Sequence, residues 1–128
     1  MTSDIEMYER TKKTIRVNVT NAAGAPYDIT SATEIEWVAY QGSILKIRKT
    51  LGIMTITKGV PGTGGITYFT FPLYPADTEL PVTKTVGTPV VWVHEARIIF
   101  PPALFGTAEY VSIAGKMYIM PSITGVSV

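Results

Sequence analysis

TIRVNVTNAAGAPYDITSATEIEWVAY, residues 14–40, holds the pattern that decides the fold. Ile15, Val17 and Val19 alternate with Arg16, Asn18 and Thr20, the period of a half-buried β-strand. Residues 21–26 carry turn chemistry: Gly24 tolerates positive φ, and Pro26 fixes its own φ while biasing Ala25 towards extended geometry. Asp28 and Thr30 are suited to bonding local backbone before Ile35, Trp37 and Ala39 resume the alternation. Strand, turn, bridge and strand are the opening of an antiparallel sandwich. The stretch holds no catalytic motif.

The segments on either side extend the same reading. After a turn at Gln41-Gly42-Ser43, residues 44–51 predict a third strand with Lys46, Arg48 and Lys49 on its wet side. Residues 53–58 predict a fourth, paired with the third as a hairpin about Gly52. Residues 66–72, 90–100 and 109–120 predict three more, the last with a bulge at Gly115. The run VVWVHEARIIF is apolar on both parities, which predicts a central strand covered on both faces. Residues 73–83 have room for one helical turn, with Pro75 in the first helical position and Pro81 ending it. Residues 4–11 read as an edge strand or an arm reaching a neighbour, with Ile5, Met7 and Tyr8 as burial candidates. The expected fold is all-β: an immunoglobulin-like antiparallel β-sandwich of seven to eight strands with at most one short helical turn. Residues 1–13 form its arm or edge strand, 14–121 the domain and 122–128 a tail.

Composition narrows the function. The 128 residues suit one domain with a sizeable core. A net charge of +1 and only 16% charged residues argue against a nucleic-acid partner, which requires a concentrated basic surface. Charge this sparse on a small domain suggests that part of the surface is covered by another protein. With no cysteine there is no disulfide, thiol nucleophile or thiolate metal site. The polar start MTSDIEMYERTKK is unlike a signal peptide, and no apolar run approaches the roughly 20 residues that span a bilayer. A soluble protein made in a cytoplasm, without a membrane partner, is expected.

Chemistry-bearing residues are few. GVPGTGG, residues 59–65, lacks the Lys-Ser/Thr pair and helix of a phosphate loop and reads as a connection. His94, the single histidine, lies mid-strand with no G-x-S-x-G turn in the chain to supply a nucleophile. A hydrogen-bonded histidine inside the sandwich or at an interface is expected. Glu34 and Glu36 share a strand face about 6–7 Å apart, a spacing open to a glycosidase pair or a metal clamp but equally to charge-out patterning around Trp37. Asp77 and Glu79 read as acids at a helix start. The expected protein is not an enzyme and carries no cofactor or metal.

Several short motifs together resemble a family. They are the N-x-x-G-x-P turn (Asn21, Gly24, Pro26), the D-[IL]-T of Asp28, Ile29 and Thr30, and the strand aromatic Trp37. ILKIRKTL follows, then WVHEARI with His94, Glu95 and Arg97, then IAGKMYIMPS with Gly115 and Pro121. The layout is similar to small β-sandwich proteins of tailed bacteriophages, especially the N-terminal module of baseplate upper proteins and its relatives in tail and neck structures. The resemblance implies a non-enzymatic virion protein, assembled in the bacterial host cytoplasm and held by other virion proteins and copies of itself. In tail-associated forms this module precedes a coiled coil or receptor-binding region; a chain ending at Val128 suggests an adaptor, collar or decoration subunit. The candidate subunit interface comprises Ile5, Met7, Tyr8, Glu95, Arg97, Ile123 and Val126, because the uncharged, β-prone tail SITGVSV and the N-terminal arm are suited to strand addition. The alternative is a host receptor- or glycan-binding module using Trp37, Tyr40, Tyr68 and the 59–65 loop.

Overall fold

The computed structural model describes residues 4–52, 55–80, 87–101 and 110–121. Eight strands are seen: β1 (Ile5–Tyr8), β2 (Lys13–Asn18), β3 (Glu34–Gln41), β4 (Ile44–Thr50), β5 (Thr57–Lys58), β6 (Tyr68–Leu73), β7 (Val90–Ile99) and β8 (Tyr110–Met120). One 3₁₀ turn, Pro75–Thr78, starts at the expected proline. The strands form a five-stranded sheet, β1-β8-β7-β3-β4, and a three-stranded sheet, β2-β6-β5. All ladders are antiparallel except β1 with β8, which is parallel. This division of strands between two layers is the immunoglobulin-like sandwich, in its variable-type form with an added edge strand, β4, beside β3.

Alternation in sequence becomes alternation in burial. Ile15, Val17 and Val19 of the first predicted strand face Phe69, Phe71 and Leu73 of β6 and the inner residues Ile35, Trp37 and Ala39 of β3, all buried. The turn forms as its residues predict. Asn21 Oδ1 accepts from the amides of Ala23 (2.9 Å) and Ala25 (3.0 Å), and Gly24 takes φ +84°. Gly42 (φ +58°) opens the two-residue β3–β4 hairpin.

Immunoglobulin domains place a buried tryptophan of the third strand against an inter-sheet disulfide. Trp37 occupies the corresponding strand, but the chain has no cysteine. Its neighbours are Phe71 (ring centroids 4.5 Å apart) and His94 (5.6 Å), and its Nε1–H donates to His94 Nδ1 at 3.2 Å. An indole can only donate, so Nδ1 is the acceptor nitrogen and bears no proton. His94 is 1% exposed: the expected internal, hydrogen-bonded histidine.

Three expectations change. First, residues 44–51 and 53–58 do not pair as a hairpin. β4 pairs with β3, whereas β5 pairs with β6 in the other sheet. Between them the chain crosses the sandwich, held by a single parallel bridge from Leu51 to the fully buried Ile56. Burying Ile56 under both sheets outweighs the local pairing that Gly52 invites. Second, β8 passes Gly115 in regular register, His94 directly across from it; the irregularity lies between Ala39 and Tyr40 on the β3–β4 ladder, where Lys46 is the extra residue. Third, β7 is central but covered on one face alone. Trp92, His94, Ala96 and Ile98 are buried, while Val91 and Val93 are 45% and 55% exposed.

The β1 end is tied down by polar contacts. Glu9, 2% exposed, accepts from the Leu80 amide at 3.0 Å, and the Arg10 amide donates to Thr78 Oγ1 at 3.0 Å. Arg10 takes φ +55° there, and its guanidinium pairs with Glu79 at 3.1 Å. Residues 4–9 are thus an edge strand of this chain's own sheet and not an arm reaching a neighbour.

Candidate functional site

The outer face of the five-stranded sheet is where this molecule departs most from a self-sufficient domain. Strand geometry sends Tyr40, Val38, Glu36 and Glu34 of β3 to that face, level with Val93, Glu95, Arg97 and Ile99 of β7. Leu45 of β4 lies beside Tyr40. Ile44 (61% exposed), Leu45, Tyr40, Val91 and Val93 are all exposed, and they gather at the hairpin end of the sheet. The half-buried Tyr118 lies across from Val91 and extends the patch towards β1. Single exposed apolar residues are ordinary; four at adjoining positions of one face, Tyr40, Leu45, Val91 and Val93, mark an interaction surface, with Ile44 beside them on the other parity of the hairpin end.

The opposite end of the face is charged. Glu36 pairs with Arg48 across the β3–β4 ladder at 2.8 Å, and Glu95 accepts from Ser112 Oγ at 3.1 Å. Glu36 lies directly beside Arg97 on β7. The Glu34/Glu36 pair does share this face, but Glu36 is engaged by Arg48, and among the described residues no group of three or more His, Cys, Asp or Glu is placed to hold a metal. Glu36→Gln is expected to change the melting temperature by no more than about 3 °C, since exposed ion pairs contribute about 0–1 kcal/mol; a larger loss in a thermal melt would show a buried role.

Of the predicted interface residues, Ile5 and Met7 are corrected. Both are 7% exposed and packed into the chain's own core, because the parallel β1–β8 pairing turns their parity inward. Tyr8, on the other parity, is 63% exposed. Glu95 and Arg97 lie on the outer face as described, and Ile123 and Val126 fall outside the described residues. An open groove of about 490 Å³ runs beside β1, lined by Met7, Tyr8, Thr11, Pro89, Tyr118 and Met120.

The residues of the glycan-binding alternative are brought together only in part: Tyr68 lies at the 59–65 loop, its hydroxyl accepting from the Val60 amide at 3.1 Å. Trp37 is fully buried. The Tyr68 ring is covered by the Arg16 guanidinium, 3.7 Å from its centroid, and lies against Gly59, leaving no room there for a Cβ. Tyr40 and residues 60–64 of the loop remain exposed. β4 is an edge strand whose Lys46 and Arg48 are exposed as expected, whereas Lys49 is not on the wet side: it shares the parity of Trp37 and is drawn inward to Asp77 at 3.0 Å. Asp77 also accepts from the Tyr74 amide at 2.8 Å, so it closes the 3₁₀ turn as a helix-start acid does.

A second polar centre pins the 59–65 loop. Asp28 Oδ1 accepts from the Thr30 hydroxyl (2.5 Å), the Thr30 amide (2.9 Å) and the Ile66 amide (3.1 Å). The Thr30 hydroxyl is the largest cause holding the Asp28 carboxyl below its usual value, with the amides and Lys58 adding to it. A carboxylate with a lowered folded-state pKa contributes stability above the unfolded value of about 3.9, and that contribution is lost as pH falls through the lowered value. The melting-temperature gap between wild type and Asp28→Asn is therefore expected to be constant from about pH 5 to 8 and to shrink below about pH 4. A gap unchanged down to about pH 2 would contradict the assignment.

No protein-family model matches the chain, and no curated protein matches its sequence. Among solved structures it is similar to NK cell receptor Nkp44, a triggering partner in natural cytotoxicity. The identity is 16% and the TM-score 0.42, over 95% of this chain and 99% of that one. A likeness at that level bears on neither function nor partner; the fold assignment stands on strand order and pairing. Among the described residues no helix is long and apolar enough to cross a membrane.

Proposed function

We propose that this chain is a non-enzymatic structural protein of a tailed phage particle, an adaptor at the neck, tail or baseplate or a decoration on the capsid. It works by holding other virion subunits against the outer face of β1-β8-β7-β3-β4. The observation that carries the subunit-contact part is the exposed cluster of Tyr40, Leu45, Val91 and Val93 on that face. Sparse charge supports it, since an apolar face with few charges gains from being covered. The phage assignment rests on the motif resemblance of the turn at Asn21–Gly24–Pro26 and the strands around Trp37, His94 and Gly115.

The test is gold-labelled antibody against this chain on intact phage particles, viewed by negative stain, with disrupted particles probed on a blot. Label at the neck, along the tail, at the baseplate or over the capsid is the expected result. Absence from both intact and disrupted particles would overturn the reading.

A further inference from the structure

We propose that the outer face of the five-stranded sheet pairs with the same face of a second copy of this chain. The twofold axis runs parallel to the strands, between β3 and β7. The proposal rests on the subunit-contact reading above and names its first partner.

Self-complementarity is the main argument. An axis lying between two neighbouring strands exchanges them, so each residue of β7 in one copy comes to lie over the in-sheet neighbour it already has on β3. The cross-strand register then becomes the register of the interface. Val93 of the second copy lies over Tyr40, and Arg97 of the second copy over Glu36, each twice by symmetry. β8 and β4 exchange likewise. The Lys116 stem then covers Leu45, and Ala114, which offers no bulk, leaves space for Arg48. Val93 meets Tyr40 at the hairpin end and Arg97 meets Glu36 farther along, while Glu95 comes over Val38 and Ile99 over Glu34. A face of one charge sign would repel its copy; this one carries the acids Glu34 and Glu36 on β3 and both signs, Glu95 and Arg97, on β7.

Area agrees. Strand spacing of about 4.8 Å and a rise of about 3.3 Å per residue give the five strands a projected face of roughly 600 Å². Side-chain relief raises its accessible area into the roughly 600–1,000 Å² that each partner contributes to a standard interface. The exposed apolar cluster lies on β3, β4 and β7, the strands nearest the axis, where the most buried part of such an interface forms.

Sedimentation velocity on the purified chain, from about 1 to 100 µM, tests it: a dimer with micromolar affinity is expected of an interface this size. Val93→Arg and Leu45→Lys each enter the interface twice and are expected to weaken the dimer at least tenfold, roughly, while the melting temperature of the monomer stays within a few degrees. Val60→Arg, more exposed than either but on the connection after β5, is expected to leave dimerisation unchanged. A wild-type chain monomeric throughout, or a dimer indifferent to both face variants, overturns the pairing. The virion reading fails separately: a monomer found in particles refutes the pairing alone, and a face-dependent dimer absent from particles supports the pairing while refuting the virion role.

Discussion

Trp37→Ala is expected to lower the stability of this domain by about 3–5 kcal/mol, the range for truncating a large buried aromatic. For a domain of this size that is a fall in melting temperature of roughly 10–20 °C. The reason is position. Trp37 is fully buried between Phe71 of one sheet and His94 of its own, so its removal leaves a cavity between the layers and an imidazole without its indole donor. Trp37→Phe separates the two losses, because it keeps a ring against Phe71 and removes only the donor and part of the volume. Its expected cost is about 1–2 kcal/mol, a hydrogen bond plus modest underpacking. Thermal melts of the two variants side by side check this. A fall below about 5 °C for Trp37→Ala would mean that the tryptophan is not the packing centre.

The strands around Trp37 were legible because each has one wet face and therefore a clear period of two. Residues 14–20 and 33–40 display it, and β2 and β3 follow within a residue or two. Where both parities are apolar the period vanishes. VVWVHEARII reads as covered on both faces, yet Val91 and Val93 point outward, so the strongest interaction signal in the chain resembled core in the sequence. The reverse happened at Ile5-Glu6-Met7-Tyr8. Its alternation is visible and marks Ile5 and Met7 as burial candidates; what the residues do not say is whether the chain's own core or a neighbour buries them. Non-local pairings carry no local mark. Nothing near Gly52 announces that the chain leaves one sheet for the other, and nothing near Trp37 names His94, 57 residues away, as its acceptor. The same holds for Glu9, whose buried carboxylate meets an amide 71 residues distant.

These observations bear on the outer face in one respect. The inward residues Ile35, Trp37 and Ala39 of β3 and Trp92, His94, Ala96 and Ile98 of β7 are buried, and Trp37 Nε1 and His94 Nδ1 satisfy each other. Exposed Val91 and Val93 therefore cannot be explained as core residues displaced by an irregular ladder, since β7 runs in unbroken register against both neighbours. They are outward by design of the pleat. Substituting them should cost the monomer little, which makes the dimer test clean.

Gly65→Ala is the second substitution with a large expected effect, about 2–4 kcal/mol, from backbone strain and lost hydrogen bonds together. Gly65 takes φ +88° and closes a tight turn with Gly62 through two reciprocal backbone bonds of 3.0 Å. An L side chain there carries a penalty of about 1–2 kcal/mol. Its Cβ would also fall within the Asp28 carboxylate, forcing that group away from Thr30 and the Ile66 amide. The two costs separate in a double-mutant cycle. In an Asp28→Ala background the collision is gone and the hydrogen bonds are already lost, so Gly65→Ala should cost only the strain. Denaturant unfolding of the four proteins gives the coupling directly, and a smaller cost of Gly65→Ala in the Asp28→Ala background is expected. Strict additivity would mean that Asp28 and the glycine turn are independent, and that the loop is held by something other than this carboxylate.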